Sequence, residues 1–418
     1  MDRPRIINRN YGLLWTASLV SQAGDTFYAI ALAWFVLEQT RSPAAMGLYL
    51  VASYLPGFLI SPWVGVLIDR SDRKRLLVAA DLVRGFVVAL AAAAALSGRL
   101  ALWHVLGVAV LLSVCSAFFN PTARVVIPRI VPDDRLVQAN AGMQLISGAT
   151  SVAGPLLGAA CLGLTGYAGA FLANALSFLV SGGLIACMGP ALQRVSTTPS
   201  GDHAAGVRGG FRFLADRPRL LLILGVVFGV HLLFGSLAVI LPFLADQLSG
   251  RGILNLGMLE AGMGTGIIAG SMLLGFLRLQ AGERLLYRIL ALMGAGLLGL
   301  GLFRIATLTS PIAYAAAMLL TGICVSVASV SWTTVLQRSV PEDMAGRVFS
   351  LAASIGNIAL TLAYGAAGVL LHIVPLPAVL ATSGLLIITL GLAAAVYTSR
   401  GLEAVSYTHL TLPTNREV

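Results

Sequence analysis

The sequence carries very little charge. Only 11% of its 418 residues are Asp, Glu, Lys or Arg, whereas about 25% is usual in soluble domains. Hydrophobic residues make up 58% of the chain, and the mean hydropathy is +0.90. This composition excludes a water-soluble globule of this length, and it predicts a chain built largely from transmembrane helices of roughly 20 apolar residues each.

Residues that support common enzyme chemistry are scarce as well. Lys74 is the lone lysine and lies between two arginines, so the sequence lacks the Gly-x4-Gly-Lys-Ser/Thr loop with which ATP-driven exporters bind nucleotide. The four cysteines form no CxxC pair, and the five histidines form no metal-ligand pattern with them. We therefore expect no enzyme activity and no nucleotide, cofactor or metal.

Twelve apolar stretches follow one another along the chain, and a polar segment of about thirty residues separates the sixth from the seventh. This pattern predicts an all-α membrane protein with twelve transmembrane helices in two pseudo-symmetric six-helix bundles. The bundles would occupy 1–190 and 219–400, joined by a cytoplasmic linker at 191–218 that is either a flexible tether or a short amphipathic helix on the membrane. The apolar stretches lie at 11–37, 44–68, 76–97, 101–123, 136–164, 167–189, 220–245, 253–277, 284–307, 311–336, 346–372 and 377–398.

Basic residues are distributed unequally between the predicted loops. Four of them fall on one predicted side of the membrane and 22 on the other, with Arg416 left aside. The four are Arg41, Arg99, Arg251 and Arg304. Cytoplasmic loops are enriched in Lys and Arg, so both termini are expected in the cytoplasm. The same distribution accounts for the net charge of +10 without nucleic acid as a partner.

Short motifs recur in the two halves of the chain. Gly47-Leu-Tyr-Leu-Val begins the second span, and Gly257-Met-Leu-Glu-Ala begins the eighth, 210 positions later. Val131-Pro132-Asp133-Asp134 after the fourth span returns as Val340-Pro341-Glu342-Asp343 after the tenth. Two parallel six-span repeats are typical of secondary transporters in which the halves rock against each other.

A charged motif links the second and third spans: Gly65-Val-Leu-Ile-Asp69-Arg70-Ser-Asp72-Arg73-Lys74-Arg75. A carboxylate beside basic residues at helix ends can bridge to a neighbouring helix and its dipole, and a bridge made in one conformer biases a two-state equilibrium. The motif resembles motif A of the major facilitator superfamily, Gly-x-Leu-x-Asp-Arg-x-Gly-Arg-Lys, with Asp72 in place of the second Gly. The resemblance implies a conformational latch formed by Gly65, Asp69, Arg70, Arg73 and Lys74.

Further stretches resemble the branch of this superfamily that contains enterobactin exporters and macrolide efflux proteins. They are Ser21-Gln-Ala-Gly24-Asp25 in span 1, Asn120-Pro121-Thr-Ala-Arg124 after span 4 and Val340-Pro341-Glu342-Asp343-Met-Ala-Gly346-Arg347 after span 10. The resemblance implies a monomeric, multi-pass protein of the bacterial cytoplasmic (inner) membrane. Such a protein would export a small to medium, largely apolar compound, such as a drug, antibiotic or siderophore, in exchange for protons by alternating access.

Span 5 contains Gly154-Pro155-Leu-Leu-Gly158-Ala159, which is similar to the antiporter motif Gly-Pro-x-x-Gly-Gly. Proline removes a backbone donor and kinks a helix, and the glycines let another span come close. The similarity favours export. A packing kink without directional meaning, a nutrient importer of the same fold and a non-transporting membrane sensor stay open as alternatives.

Asp25 lies near the middle of span 1, where an ionisable side chain costs about 2.5–3.5 kcal/mol on insertion scales. Ser18, Ser21, Asp25 and Tyr28 recur at intervals of three and four and therefore share one helix face, with Gln22 beside it. This stripe is expected to face a substrate cavity, with Asp25 as a proton carrier. The alternative is that Asp25 forms a hydrogen bond to an adjacent span as a packing contact.

Other ionisable side chains also lie within predicted spans. Glu260 in span 8 and His231 in span 7 are candidates for proton coupling, and structural packing is the alternative for both. Asp81 and Arg84 in span 3 are three residues apart, and an i,i+3 ion pair near the cytoplasmic surface accounts for both.

The last thirteen residues, 406–418, differ in character from the rest of the chain. They are rich in threonine, show no periodicity and resemble translated sequencing-adapter sequence. We expect this tail to be non-native and to carry no function.

Overall fold

The computed structural model describes residues 8–132, 135–189, 212–276, 282–340 and 342–410. Within these ranges the regular elements are helices, and no strand occurs. The helices are α1 Arg9–Thr40, α2 Pro43–Arg70, α3 Arg73–Leu96, α4 Leu102–Ile130, α5 Leu136–Ala186, α6 Pro218–Phe234, α7 Ser236–Asp246, α8 Gly252–Phe276, α9 Glu283–Ile305, α10 Pro311–Ser339, α11 Glu342–Leu370 and α12 Leu376–Leu410.

Eleven helical segments in the described part of the chain are long and apolar enough to cross a membrane. The longest of them lies in α5, which is interrupted at Gly166, where φ is +67° and ψ is −174°. Glycine adopts a positive φ at little steric cost, so the break between the predicted fifth and sixth spans falls there. Helices α6 and α7 together form the predicted seventh span, Pro218–Asp246. The predicted all-α membrane fold with twelve crossings is confirmed.

Helix starts follow local capping chemistry. Asn8 caps α1 and Ser42 caps α2, each by accepting a hydrogen bond from a backbone amide of the first turn. The Asp72 carboxylate caps α3, accepting from the amides of Lys74 at 3.0 Å and Arg75 at 3.1 Å. A capping side chain satisfies amides that the start of a helix leaves unpaired. The predicted charged motif between spans 2 and 3 therefore contains the cap of the third helix.

Helix α4 ends at Ile130, beyond the predicted end at residue 123, although it contains Pro121 and Pro128. Each proline removes one backbone donor, which weakens or kinks a helix without preventing helical structure on both sides. The predicted end is wrong because it was placed before the charged Arg124, and arginine is a good helix former that does not end a helix.

Most contacts between helices lie within one half of the chain. Helix α5 contacts α1 and α3, and α2 contacts α4; in the other half α10 contacts α8 and α9, α9 contacts α12, and α6 contacts α11 and α12. The halves meet where α5 packs on α8 and α2 packs on α11. Most of the predicted linker lies outside the described residues, so the division into 1–190, 191–218 and 219–400 stays a prediction.

Helix α8 carries glycines on two of its faces. A Cβ atom added to Gly262 would lie 2.6 Å from a carbonyl oxygen of α10, and one added to Gly257 would lie 2.9 Å from the Pro155 carbonyl oxygen of α5. Gly264 lies against the Ser151 carbonyl of α5 in the same way. Small residues allow such close backbone approach between membrane helices. Helix α8 is therefore in backbone contact with a partner in its own half and with one in the other half.

Candidate functional site

A buried ion pair lies in the first half of the chain. The Arg84 guanidinium pairs with the Asp81 carboxylate one turn earlier in α3, and the two side chains are 3% and 0% exposed. The Ser181 hydroxyl of α5 donates to the other carboxylate oxygen of Asp81 at 2.7 Å. Buried charges persist when they are paired and hydrogen-bonded, so this network joins α3 to α5.

The Arg84 guanidinium also contacts two aromatic rings. Its Cζ atom lies 4.2 Å from the centroid of the Phe119 ring in α4 and 4.5 Å from that of Phe178 in α5. The face of an aromatic ring attracts a cation within about 6 Å of its centroid. Helices α4 and α5 therefore stabilise the cation in addition to Asp81.

Asp25 lies within electrostatic range of this pair. Its carboxylate, partly buried near the middle of α1, interacts with the charges of Arg84 and Asp81. It makes no hydrogen bond or ion pair with any described residue. Because Arg84 is already paired with Asp81, ionised Asp25 leaves the three groups with one uncompensated negative charge. A proton or another cation on Asp25 would neutralise them, which is the chemistry that a proton carrier needs.

Three members of the predicted polar stripe are buried inside the first half. Ser18, Ser21 and Tyr28 have little exposed surface, and Tyr28 packs on a phenylalanine ring of α5. Gln22 points elsewhere, and its Oε1 atom accepts a hydrogen bond from the Ser147 hydroxyl of α5 at 3.3 Å. The stripe packs against α5 in this conformation, and its part in a cavity wall stays a prediction.

Glu260 lies on the face of α8 that meets the first half. It is one helical turn from both Gly257 and Gly264, the glycines that contact α5. In the described part of the chain, no cationic side chain pairs with it and no donor forms a hydrogen bond to it. Its role in proton coupling stays a prediction.

His231 sits in α6 within the second half. Its Nδ1 atom lies 2.7 Å from the Val227 carbonyl oxygen one turn earlier. Its Nε2 atom would be 3.7 Å from a Cβ atom added to Gly356 of α11. These contacts agree with the packing alternative for His231, and its assignment to proton coupling stays a prediction.

The predicted antiporter-like segment is a contact surface for α1. A Cβ atom added to Gly154 would lie 2.5 Å from the Thr26 methyl carbon, and one added to Gly158 would lie 2.9 Å from the Phe27 Cα atom. Pro155 lies between these two contacts, and its carbonyl oxygen points to Gly257 of α8. The segment therefore holds α5 against both α1 and α8, whereas its meaning for the direction of transport stays a prediction.

The predicted latch is described only in part. The Lys74 Nζ atom donates to the Met188 carbonyl oxygen at the end of α5 at 2.6 Å, and Arg73 is buried. Gly65, Asp69 and Arg70 lie in the last turns of α2, and their side chains are outside the part of the chain that the structure describes. A contact of the latch with the second half therefore stays a prediction.

A set of polar and aromatic contacts lies at one end of the bundle, which we call the loop-1 end because it carries the loop between α1 and α2. Arg41 in this loop forms an ion pair with Asp246 at the end of α7. A Cβ atom added to Gly252 at the start of α8 would overlap the Trp34 ring of α1. The Trp34 indole N–H donates to Glu38 at 2.7 Å. The two halves are therefore in direct contact at the loop-1 end.

The interpretation of Asp81 and Arg84 as a self-contained pair near the surface is wrong. Arg84 is the twelfth residue of the 24-residue α3, and side chains from α4 and α5 contact the pair. A signal for this network was present in the sixth span, where Asn174, Ser177 and Ser181 recur at intervals of three and four. This spacing predicts a polar helix face. Ser181 on this face forms the hydrogen bond to Asp81 of α3.

The membrane-crossing helices form two halves that contact each other, and charged side chains are buried among the helices. This arrangement is typical of secondary transporters. The chain belongs to the Major Facilitator Superfamily, whose family model matches residues 14–364. It is therefore a membrane transporter and not an enzyme, as the sequence predicts.

Similar proteins extend over most of the chain. Macrolide efflux protein A of Streptococcus pyogenes is 24% identical over 359 residues, which cover 83% of this chain and 85% of that protein. The uncharacterized MFS-type transporter YfiS of Bacillus subtilis (strain 168) is 26% identical over 415 residues, which cover 94% of each. A bacterial homologue of the iron transporter ferroportin, solved in the inward-facing state, has a TM-score of 0.72 at 17% identity and covers 93% of this chain and 98% of that one. The structural likeness shows the fold alone.

Proposed function

We propose that this chain is a proton-driven exporter of small to medium, largely apolar compounds in the bacterial cytoplasmic membrane, monomeric and with both termini in the cytoplasm. The observation that carries the proposal is the Asp25 carboxylate, uncompensated beside the Asp81–Arg84 pair. Similarity to macrolide efflux protein A supports export of an apolar compound. Loading and unloading a proton at Asp25 changes the charge among α1 and α3 once per cycle, and this change biases the equilibrium between two helix arrangements.

Alternating access is supported by the contacts at the loop-1 end. The Arg41–Asp246 ion pair and the Trp34–Gly252 contact close this end between the halves. Helices α2 and α11 also meet near it, where a Cβ atom added to Gly47 would lie 3.1 Å from a backbone carbon of α11. In the proposed cycle these contacts break when the substrate is released, and the opposite end closes.

Reversing the charges of the ion pair tests this cycle. Arg41→Asp places two carboxylates together and is expected to change the efflux rate about two- to fivefold, since exposed pairs contribute about 0.2–1 kcal/mol. Arg41→Asp combined with Asp246→Arg restores the opposite charges and is expected to restore the rate. The measurements are the initial efflux rate and the labelling of a Leu37→Cys reporter by a membrane-impermeant maleimide in a background that lacks the native cysteines. A double variant that behaves like the single one would contradict the role of the pair.

The proposed function itself is tested by efflux from a bacterial host that lacks its major exporters. The full chain is expected to lower the accumulation of erythromycin and ethidium relative to the empty vector, and a protonophore is expected to remove this difference. Raised accumulation of either compound would instead favour the importer. An absence of flux for a broad compound panel, with the protein verified in the membrane, would favour the non-transporting sensor.

A further inference from the structure

The Trp34 ring of the first half covers the start of α8 in the second half. A Cβ atom added to Gly252 would overlap the Cη2 atom of this ring, so the ring edge rests directly on the backbone of α8. The Trp34 side chain is buried in this contact. Gly252 has no side chain that could orient the ring, so its orientation must be fixed by contacts that the indole makes within its own half.

The Glu38 carboxylate makes such a contact. Glu38 lies one turn after Trp34 on the same face of α1, and its Oε1 atom accepts a hydrogen bond from the indole N–H at 2.7 Å. The indole N–H is the only donor of a tryptophan side chain. This one bond therefore determines which way the ring is turned.

The second oxygen of the Glu38 carboxylate is used as well. Its Oε2 atom accepts a hydrogen bond from the Tyr167 hydroxyl. Tyr167 follows Gly166, at which α5 is interrupted, and its ring packs edge-on against the Phe35 ring of α1 with the centroids 5.2 Å apart. The carboxylate is therefore held between α1 and the break in α5.

Glu38 acts here as a hydrogen-bond acceptor and not as the partner of a cation. Both donors that reach it, an indole N–H and a phenol hydroxyl, are neutral. Arg41 lies three residues later in the chain, but it pairs with Asp246 of the second half. An uncharged side chain that offers an oxygen acceptor should therefore replace much of what Glu38 does.

The surface on which the ring rests is held by hydrogen bonds of its own. The buried Asn255 side chain donates from its Nδ2 atom to the Ser249 carbonyl oxygen at 3.2 Å, which ties the turn before α8 to the first turn of that helix. The Ser249 amide donates to the Thr309 carbonyl oxygen before α10 at 2.9 Å. Gly252 is part of this bonded segment, so the rotatable bonds of the contact belong to the Trp34 side chain.

We propose that Glu38 is a positioning residue for closure of the loop-1 end, because it holds the Trp34 ring in the orientation that rests on Gly252. The inference rests on the proposed function, and it assigns a residue that alternating access requires. When the halves part, the ring leaves Gly252, but its bond to Glu38 lies within α1 and is kept. The ring can then return without losing rotamer freedom, a loss that would oppose closure.

The accessibility of a buried cysteine tests this assignment. Leu256 is fully buried one turn after Gly252 on the same face of α8, so Leu256→Cys in a chain without the native cysteines reports opening of the loop-1 end. The rate of labelling by a membrane-impermeant maleimide is measured in right-side-out and in inside-out vesicles. The two preparations together expose this end whichever side of the membrane it faces.

Two substitutions of Glu38 are compared in this background. Glu38→Ala removes both acceptor oxygens and is expected to raise the labelling rate about fivefold. Glu38→Gln keeps one oxygen for the indole N–H and is expected to stay within about twofold of the unmodified side chain. Gln39→Ala, at the neighbouring exposed position, is the matched control and is expected to leave the rate unchanged.

A double-mutant cycle separates positioning from a merely structural role. Trp34→Phe keeps a ring but removes the N–H donor, and it is expected to raise the labelling rate at least as much as Glu38→Ala does. Both changes remove the same hydrogen bond, so Glu38→Ala is expected to add less than about twofold to Trp34→Phe. Gly252→Leu fills the place of the ring and is the positive control, with the highest labelling rate expected.

The inference is overturned if Glu38→Ala is labelled as slowly as the unmodified side chain, or if its effect adds in full to that of Trp34→Phe. Equal labelling of Glu38→Gln and Glu38→Ala would overturn it as well, because the charge and not the acceptor would then matter. Slow labelling of Gly252→Leu in both vesicle preparations would remove the closure itself. Failure of the proposed export function is distinct: the unmodified chain would then export no compound, while labelling in the expected order would still support the role of Glu38.

Discussion

Asp25→Asn is expected to abolish energy-driven efflux and to return substrate accumulation to the level of the empty vector. Asparagine has nearly the same size as aspartate but cannot carry a proton at neutral pH. The charge beside the Asp81–Arg84 pair then stays constant through the cycle. A proton can shift the populations of the two conformations only if it binds one of them more tightly than the other. Asparagine binds no proton, so the gradient can no longer drive the change.

Substrate exchange without a gradient distinguishes coupling from packing. In liposomes loaded with substrate, Asp25→Asn is expected to keep counterflow, because exchange needs the rocking motion and not the proton. Asp25→Glu retains a titratable carboxylate and is expected to recover part of the uphill efflux. Loss of counterflow together with efflux, or uphill efflux that survives in Asp25→Asn, would assign Asp25 to helix packing.

Removing the Arg84 guanidinium is expected to destabilise the fold. Arg84→Met keeps the length and apolar body of the side chain, but leaves Asp81 charged and unpaired among α3, α4 and α5. Breaking a buried ion pair by deleting one partner costs about 3–5 kcal/mol. The expected result is a marked fall in the thermal unfolding temperature of the purified protein in detergent.

The double variant Asp81→Asn, Arg84→Met is the control for this prediction. It removes the unpaired charge and keeps the hydrogen bond to Ser181 possible, so it is expected to be more stable than Arg84→Met alone. Equal unfolding temperatures for Arg84→Met and the unmodified chain would contradict the structural importance of the ion pair. A double variant less stable than Arg84→Met would show that the destabilisation has another cause.

The course of the helices could be predicted from the sequence, whereas the partners of the buried charges could not. Apolar stretches of about 20 residues must span the membrane, because no other arrangement satisfies the backbone there. This is why the predicted spans match the helices from α1 to α12 closely. The ends of α4 and α12 are exceptions, because α4 continues past Arg124 to Ile130 and α12 continues past residue 398 to Leu410.

The candidate site shows where this reasoning stops. Asp25 stands out in the sequence because a lone carboxylate in an apolar stretch is costly. Its neighbour Arg84 is 59 positions away in the chain, and no local pattern predicts which helices bring them together. The contact of Gly257 and Gly264 in α8 with α5 of the other half could not be predicted from local spacing for the same reason. Spacing within a helix predicts a shared face, but contacts between helices depend on the packing of the whole chain.

The glycines of helix α8 have a consequence for how easily the halves move. On the face turned to α5, Gly257 and Gly264 present backbone where most helices would present interlocking side chains. At these two positions α8 moves along α5 without displacing a side chain of its own. On the opposite face Gly262 is equally close to α10 within its own half. Where these glycines lie, parting the halves therefore separates backbone from backbone and leaves the side chains of α5 and α8 in their rotamers.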